Sequence, residues 1–227
     1  MIHPTYFDIK SDFQSDFQSD IQSDFQSDFQ SDFENFKYYP KFFTKSEEHM
    51  LIEYLLSTDD FIPTTGFNRI SRYQKWYHFN NEYFCSEWKG RYPQWESFTM
   101  DDTIKLLIDK IQQFINTIPN ITIPQINSCL INKYPDGSHF ISPHRDSKIS
   151  FGENPTIVIL SFGAKRMLNF IPNDKNDNHF SFELDSGSLF IMSGSSQEKW
   201  KHTIPESDSK DIRFSITLRE FISSESI

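Results

Sequence analysis

The tripeptide His144-Arg145-Asp146 is the centre of a segment, Asn132 to Arg219, on which the predicted architecture depends. Residues i and i+2 of an extended segment point the same way, so the imidazole of His144 and the carboxylate of Asp146 face one point. A second imidazole follows at His202, after the apolar run 188–192, which indicates a buried strand. Two histidines and one carboxylate can occupy one face of octahedral iron(II) and leave the opposite face open for a co-substrate and dioxygen. These residues therefore predict the metal site of an oxygenase.

Residues 213–219 alternate strictly between polar and apolar side chains, which predicts a strand. Two arginines on its polar face need anions, and a planar guanidinium is suited to gripping a carboxylate through two bonds. A dicarboxylate would satisfy both. The polar face consists of Arg213, Ser215, Thr217 and Arg219, and the apolar face, which we expect in the core, consists of Phe214, Ile216 and Leu218.

An amide and a phenol, Asn132 and Tyr134, project from one side of the preceding predicted strand, which ends at Pro135-Asp136-Gly137. Both groups can form hydrogen bonds with a carboxylate. We therefore expect them near the metal ligands. Ile126, Ser128 and Leu130 share their side of the strand.

The order and spacing of several motifs between about residues 125 and 221 resemble those of the AlkB-like iron(II)- and 2-oxoglutarate-dependent dioxygenases. The matching motifs are Asn132-Lys133-Tyr134-Pro135-Asp136-Gly137, His144-Arg145-Asp146, Leu160-Ser161-Phe162-Gly163-Ala164 with Arg166, Gly187-Ser188-Leu189, Trp200-Lys201-His202, and Arg213 to Arg219.

The resemblance implies a role for each matching residue, with iron(II), 2-oxoglutarate and dioxygen as the cofactor and co-substrates. His144, Asp146 and His202 would hold the iron. Arg213 would bind the distal carboxylate of 2-oxoglutarate, Arg219 would lie nearer its keto-acid end, and Arg166 would lie beside the substrate base. The full set implied for 2-oxoglutarate is Asn132, Tyr134, Arg213, Ser215, Thr217 and Arg219.

This chain departs from the family pattern at two positions. Ser215 stands where the family usually has Asn, which keeps a hydrogen-bonding group but shortens its reach. Lys148 stands where nucleic-acid repair members usually carry an acidic residue that can face a cationic alkylated base. A lysine facing such a base is unfavourable, and this would weaken a preference for positively charged bases.

Residues 66–95 interleave cations and aromatic rings, with Glu82 and Glu87 as their only acids. Cations that meet phosphates, beside rings that stack on unpaired bases, are what a groove for single-stranded nucleic acid needs. The alternative is that the rings belong to strands covering one side of the barrel, with the cations in solvent. The resemblance favours a nucleotide-recognition lid, with Arg72, Trp76, Tyr77, Arg166 and Lys148 as the substrate-binding residues.

The 227 residues are enough for one domain with a full core and a modest extra segment. No apolar run approaches the roughly 20 residues that span a bilayer, and the N-terminus lacks a signal pattern, so we expect no membrane association. The two cysteines, Cys85 and Cys129, indicate a reducing compartment rather than a disulfide framework. We therefore expect an intracellular monomer, cytoplasmic or nuclear.

A Ser-Asp-Phe-Gln repeat occupies residues 11–34, and an aromatic or Ile21 recurs every fourth position from Phe13 to Phe33. Its composition indicates a disordered tail or a marginal helix; the alternative is an acidic, aromatic arm that binds an unknown partner. Residues 1–34 carry a net charge of −7, so the total of −10 leaves −3 for the remainder. Any nucleic-acid binding must therefore come from a local basic patch.

The rest of the chain predicts an α+β, mainly β domain, a double-stranded β-helix or jelly roll supported by N-terminal helices and carrying the lid. We expect a repeat tail at 1–34, helices and lid at 35–124, and the jelly-roll core at 125–223, with 35–223 acting as one catalytic domain. One helix is predicted from a cap at Thr44 or Ser46 to about Leu56, with Met50, Leu51, Tyr54 and Leu55 buried, and a second from about Asp101 to Thr117. Strands are predicted at 126–134, 156–162, 167–171, 179–184, 188–192 and 213–221.

Three functions fit these observations. The first, which the resemblance favours, is oxidative dealkylation of a base in DNA or RNA, with formaldehyde, succinate and carbon dioxide as products. The base must be single-stranded or flipped out of a duplex, because its reactive atoms are otherwise out of reach. The second is an oxygenase of the same fold acting on a protein or a small molecule, and the third is a non-catalytic binding module.

Overall fold

Two β-sheets and two long helices make up the part of the chain that the computed structural model describes, residues 34–121, 123, 125–174 and 179–222. The predicted repeat tail lies outside these residues except for Glu34. The strands are β1 (Phe36–Tyr39), β2 (Ile62–Gly66), β3 (Arg69–His78), β4 (Phe98–Thr99), β5 (Ser128–Tyr134), β6 (Ile141–His144), β7 (Ile157–Gly163), β8 (Arg166–Pro172), β9 (Phe180–Leu184), β10 (Ser188–Met192), β11 (Trp200–Ile204) and β12 (Arg213–Arg219); the helices are α1 (Lys45–Ser57), α2 (Asp102–Ile115), α3 (Lys148–Phe151) and α4 (Ser196–Lys199), with short 3₁₀ turns at Ser86–Trp88 and Pro93–Trp95.

The larger sheet has the order β1-β10-β7-β12-β5-β3-β2, and β4 adds to β3 as its one parallel pair. The smaller sheet has the order β6-β11-β8-β9 and is antiparallel. Sequence-distant strands are neighbours in both sheets, as in β1 with β10 and β12 with β5. This mixed α and β architecture, with two largely antiparallel sheets, is consistent with the predicted double-stranded β-helix.

The two faces of the larger sheet have different partners because side chains alternate along each strand. One face packs against α1 and α2, where Phe214, Ile216 and Leu218 of β12 meet the helices in the larger core cluster. The opposite face packs in part on the smaller sheet, through Ile157 and Ile159 of β7 and their neighbours. The remaining part of that opposite face, including the polar side of β12, borders the cavity described below.

Both long helices begin where predicted, α1 after Thr44, one of its two predicted caps, and α2 after Asp101, the predicted start of the second helix. Thr44 caps α1 in a capping box with Glu47, and the carboxylate of Asp101 accepts a hydrogen bond from Ile104 N at the start of α2. The buried face of α1 is narrower than predicted, since Leu51 and Leu55 are fully buried whereas Met50 and Tyr54 are only half-buried.

The boundaries of the predicted strands are met to within two residues; β10 has the predicted bounds, and β5 begins at Ser128 rather than Ile126. The larger difference concerns residues 66–95. Residues 69–78 form β3, which pairs with β2 and β5 inside the larger sheet, and only the following segment is irregular. The alternative of strand residues is therefore confirmed for β3, but its placement of the cations in solvent is wrong for Lys75, which is buried, and for Arg72, which is partly buried. No helix in the described part of the chain is long and apolar enough to cross a membrane.

Candidate active site

The two candidate metal-binding histidines come from paired strands. His144 ends β6, His202 lies in β11, and the antiparallel register puts these two residues opposite each other. Asp146 follows His144 by two residues, and one donor atom from each of the three side chains lies within 4.8 Å of the other two. A single metal ion could therefore contact all three residues, and this donor set suits iron(II) with open coordination positions.

The protonation states of these side chains also suit a metal ion. Burial, together with the neighbouring His144, lowers the pKa of His202 to about 3, and burial lowers the pKa of His144 as well. Burial would raise the pKa of Asp146, but the charge of Arg219 and the two imidazoles outweigh it and hold that pKa below its ordinary value. At neutral pH the site thus offers two neutral imidazoles and one carboxylate, the forms that bind metals.

Three contacts orient these donors. Arg219 Nη1 donates to Asp146 Oδ2 at 2.6 Å, and Asp146 N donates to Gln197 Oε1 at 3.0 Å. The ring nitrogen Nδ1 of His144 lies 2.9 Å from the carbonyl oxygen of Ser142, which leaves Nε2 on the side of Asp146. Such contacts hold metal-binding side chains in one orientation.

A cavity of about 350 Å³ opens beside the three donors. This volume is typical of pockets that bind small molecules. The residues predicted for 2-oxoglutarate all line it: Asn132, Tyr134, Arg213, Ser215, Thr217 and Arg219.

Arg213 is the most deeply buried charge in this cavity, with 1% of its surface exposed. Its Nη2 donates to Ser161 Oγ at 3.0 Å, whereas Nε and Nη1 have no hydrogen-bond partner in the described part of the chain. Burial lowers the pKa of Arg213 to about 10, so the group remains charged at neutral pH. A buried cation with unpaired donors is costly unless an anion binds it. A carboxylate of 2-oxoglutarate fits this requirement.

The side chain of Asn132 is held by neighbours on β3. Gln74 Nε2 and Arg72 Nε both donate to Asn132 Oδ1, at 2.8 and 3.1 Å. Because the oxygen is occupied in this way, the amide nitrogen of Asn132 is the group left to donate to a ligand. Thr64 fixes Gln74 in turn through a 2.6 Å hydrogen bond to its Oε1.

Among the residues predicted to bind the substrate, Arg72 lines the cavity and the other four do not. Tyr77 packs in the larger core, on the face of β3 opposite to Arg72, and Trp76 packs against Leu130, Phe151 and other rings with 1% of its surface exposed. The alternation of side chains along β3 explains the separation, since positions 72 and 77 differ by an odd number.

Arg166 and Lys148 have partners outside the residues that line the cavity. Arg166 Nη2 donates to the carbonyl oxygens of His139, at 2.7 Å, and of Pro205, so this guanidinium ties two loops together. Lys148 is half exposed and pairs with Glu153. Neither residue lines the cavity, and their roles beside a substrate stay predictions.

The sequence did not single out several residues that belong to the site. Gln74 and Gln197 hold Asn132 and Asp146, and nothing in their local sequence marks them. The mouth of the cavity is lined by rings that the interleaved aromatic pattern did include, Phe84, Trp88 and Trp95, with centroid separations of 5.5 to 6.1 Å.

Comparison with known proteins gives a consistent picture. The model of the 2OG-Fe(II) oxygenase superfamily matches residues 35–219. The human alpha-ketoglutarate-dependent dioxygenase alkB homolog 3 is 28% identical over 190 residues, which is 80% of this chain and 64% of that protein. The DNA oxidative demethylase ALKBH2 of Arabidopsis thaliana is 26% identical over 150 residues, 54% of this chain and 45% of that protein. The match thus spans less than two thirds of either relative.

A solved structure shares the fold. The structure of OsALKBH1 matches with a TM-score of 0.57 and 15% identity, and the match covers 82% of this chain and 98% of that one.

Proposed function

Because this chain belongs to the 2OG-Fe(II) oxygenase superfamily, we propose that it removes alkyl groups oxidatively from bases of DNA or RNA. The observation that carries the proposal is the cluster of His144, Asp146 and His202 beside a cavity that holds the unpaired cation Arg213. When bound, iron(II) and 2-oxoglutarate supply the oxidation of a C–H bond by dioxygen, with succinate and carbon dioxide as by-products. An N-methyl group oxidised in this way is lost as formaldehyde.

The protein's own residues bind and orient the reactants in this proposal. His144, Asp146 and His202 hold the metal ion, and Arg213 binds the distal carboxylate of 2-oxoglutarate. The amide nitrogen of Asn132 and the phenol of Tyr134 add hydrogen bonds, and Ser215 and Thr217 complete the polar wall. Arg219 keeps Asp146 ionised and oriented, a role supported by their 2.6 Å contact.

The substrate enters past the aromatic rings at the mouth. Phe84, Trp88 and Trp95 offer faces on which an unpaired base can stack. We assign the role of a nucleotide-recognition lid to residues 79–97, which follow β3 and are joined at their ends by hydrogen bonds between Glu82 and Ser97. The name of the Arabidopsis relative, a DNA oxidative demethylase, favours a nucleic-acid substrate.

One observation favours a second candidate, an oxygenase of the same fold that acts on a protein or a small molecule. The chain beyond residue 34 has a net charge of −3, which is unusual for a tight nucleic-acid binder. This candidate uses the same residues for the metal and for 2-oxoglutarate, and it differs only in the substrate that enters past the rings at the mouth.

The test is mass spectrometry of short single-stranded DNA and RNA oligonucleotides that carry one methylated base, incubated with the protein, iron(II), 2-oxoglutarate and air. We expect loss of one methyl group that depends on 2-oxoglutarate. His202→Ala should no longer remove the methyl group. His49→Ala, a matched change at an exposed histidine of α1, should remove it as the unaltered chain does.

Conversion of 2-oxoglutarate to succinate without methyl loss would favour the second candidate. If neither reaction occurs and His202→Ala binds oligonucleotides as the unaltered chain does, the chain is a binding module and the proposal is wrong.

A further inference from the structure

The cavity has an unusual charge balance. Four of its lining residues are arginines, Arg72, Arg145, Arg213 and Arg219, and Asp146 is the single acidic side chain among the described residues that line it. Asp146 is already paired with Arg219. The described residues therefore present no unpaired carboxylate to a substrate inside the cavity.

Binding of the metal and 2-oxoglutarate leaves this excess of positive charge in place. The co-substrate brings two negative charges, and iron(II) brings two positive ones. Arg213 is accounted for by one carboxylate of 2-oxoglutarate under the proposed function. Arg72 and Arg145 then remain without an anionic partner among the residues that the structure describes.

Arg72 is the more buried of these two cations. It extends from β3 into the cavity, and its hydrogen-bond partners are neutral: Asn132 Oδ1 at 3.1 Å and Ser71 Oγ at 3.4 Å. No carboxylate in the described part of the chain lies within ion-pair distance of it. Arg145 is exposed at the mouth, where a backbone phosphate can reach it.

The aromatic rings at the mouth do not reverse this preference. Every base has a π face, so stacking on Trp88 or Trp95 is tolerant of the base. A cationic base would gain a cation–π interaction with these rings. It would, however, lie close to the guanidinium of Arg72, whose charge no carboxylate of the described residues neutralises. A neutral base with a carbonyl oxygen can instead accept a hydrogen bond from Arg72.

We propose that this site prefers neutral N-methylated bases that carry a carbonyl oxygen, such as N1-methylguanine and N3-methyluracil, over the cationic N1-methyladenine and N3-methylcytosine, and that Arg72 sets this preference. The proposal rests on the dealkylase function proposed above. In this proposal the selectivity originates from Arg72 of β3 and not from Lys148, which does not line the cavity and pairs with Glu153.

The experiment compares four oligonucleotides of identical flanking sequence, each with one of these bases. The pairs are matched, because N1-methylguanine and N1-methyladenine carry the methyl group at the same ring atom, as do N3-methyluracil and N3-methylcytosine. Rates of methyl loss give kcat/KM. Anisotropy with labelled oligonucleotides and protein loaded with Mn(II) and 2-oxoglutarate gives Kd without turnover.

Within each pair we expect the neutral base to be favoured by roughly tenfold in both measurements, which corresponds to about 1.4 kcal/mol. Arg72→Gln keeps a polar side chain beside Asn132 but removes the charge, and it should bring the ratio close to one. Lys148→Gln removes a charge outside the cavity and should leave the ratio as it is.

Equal or faster reaction of the cationic bases would overturn the proposal and leave the dealkylase function standing. A ratio that responds to Lys148→Gln but not to Arg72→Gln would overturn the role of Arg72. If no oligonucleotide loses its methyl group and none binds better than its unmethylated counterpart, both the proposed dealkylase function and the proposed selectivity are wrong.

Discussion

Arg219 Nη1 lies 2.6 Å from Asp146 Oδ2, and both side chains are less than a tenth exposed. The two residues are 73 positions apart in the sequence. The guanidinium also lies over the ring of Phe151, with 4.0 Å between Cζ and the ring centroid. The residue that the resemblance linked to 2-oxoglutarate therefore also holds a candidate metal-binding carboxylate.

Arg219→Gln should destabilise the protein and weaken its metal binding. Removing one partner of a buried ion pair leaves the other charge without compensation and costs about 3–5 kcal/mol. Urea unfolding measures the cost, and titration with Mn(II) measures the metal affinity. Lys148→Gln, which breaks an exposed ion pair with Glu153, should cost about 0–1 kcal/mol. Equal effects of the two changes would contradict the role of Arg219.

Arg213→Met should weaken 2-oxoglutarate binding without weakening the fold. A charge-assisted hydrogen bond contributes about 1.5–3 kcal/mol, so the Kd should rise by at least roughly tenfold. Without 2-oxoglutarate the variant should be as stable as the unaltered chain or more stable, because an unpaired buried cation is removed. Calorimetric titration and thermal unfolding measure both. Arg69→Met, at an exposed pair with Glu206, is the control and should leave the Kd unchanged.

Glu47 should contribute to stability at neutral pH and lose that contribution in acid. Burial would raise its pKa, but the hydrogen bonds from Lys110 Nζ, at 2.5 Å, and from Thr44 outweigh it and hold the pKa below 4.5. The contribution is therefore present above pH 4.5 and is lost as the pH falls through the lowered pKa of the folded state.

Glu47→Gln should lower the free energy of unfolding at pH 7 by about 1–3 kcal/mol and flatten its decline in acid. Urea unfolding across this pH range is the measurement. Glu53→Gln, at an exposed position of the same helix, is the control. If both variants lose stability in acid along the same curve as the unaltered chain, the carboxylate of Glu47 does not cause the acid-dependent loss of stability.

Gly137→Ala should disturb the loop between β5 and β6. A Cβ atom at Gly137 would lie 2.1 Å from the carbonyl oxygen of Ser207, so one of the two loops must move. Overpacking of this kind costs about 1–3 kcal/mol. Because the loop leads into the strand of His144, Mn(II) affinity should fall as well. Gly66→Ala meets its neighbours at 3.4 Å or more and should be milder in both measurements.

The sequence carried the local features of the site because they depend on short-range geometry. The two-residue alternation assigned Phe214 and Ile216 to the core and Arg213 to a polar face, and the structure agrees. The cap at Thr44 and the helix start at Asp101 were likewise predictable, since a cap involves residues three positions apart. The spacing of the motifs was sufficient to predict the family.

Tertiary structure decided which of these side chains meet. The sequence could not show that β3 joins the larger sheet, or that Arg166 donates hydrogen bonds to the carbonyl oxygens of two loops. It could not pair Gln197 with Asp146 or Gln74 with Asn132, because those contacts span 51 and 58 positions. Periodicity fixes the face on which a side chain lies, but only the pairing of distant strands determines what that face contacts.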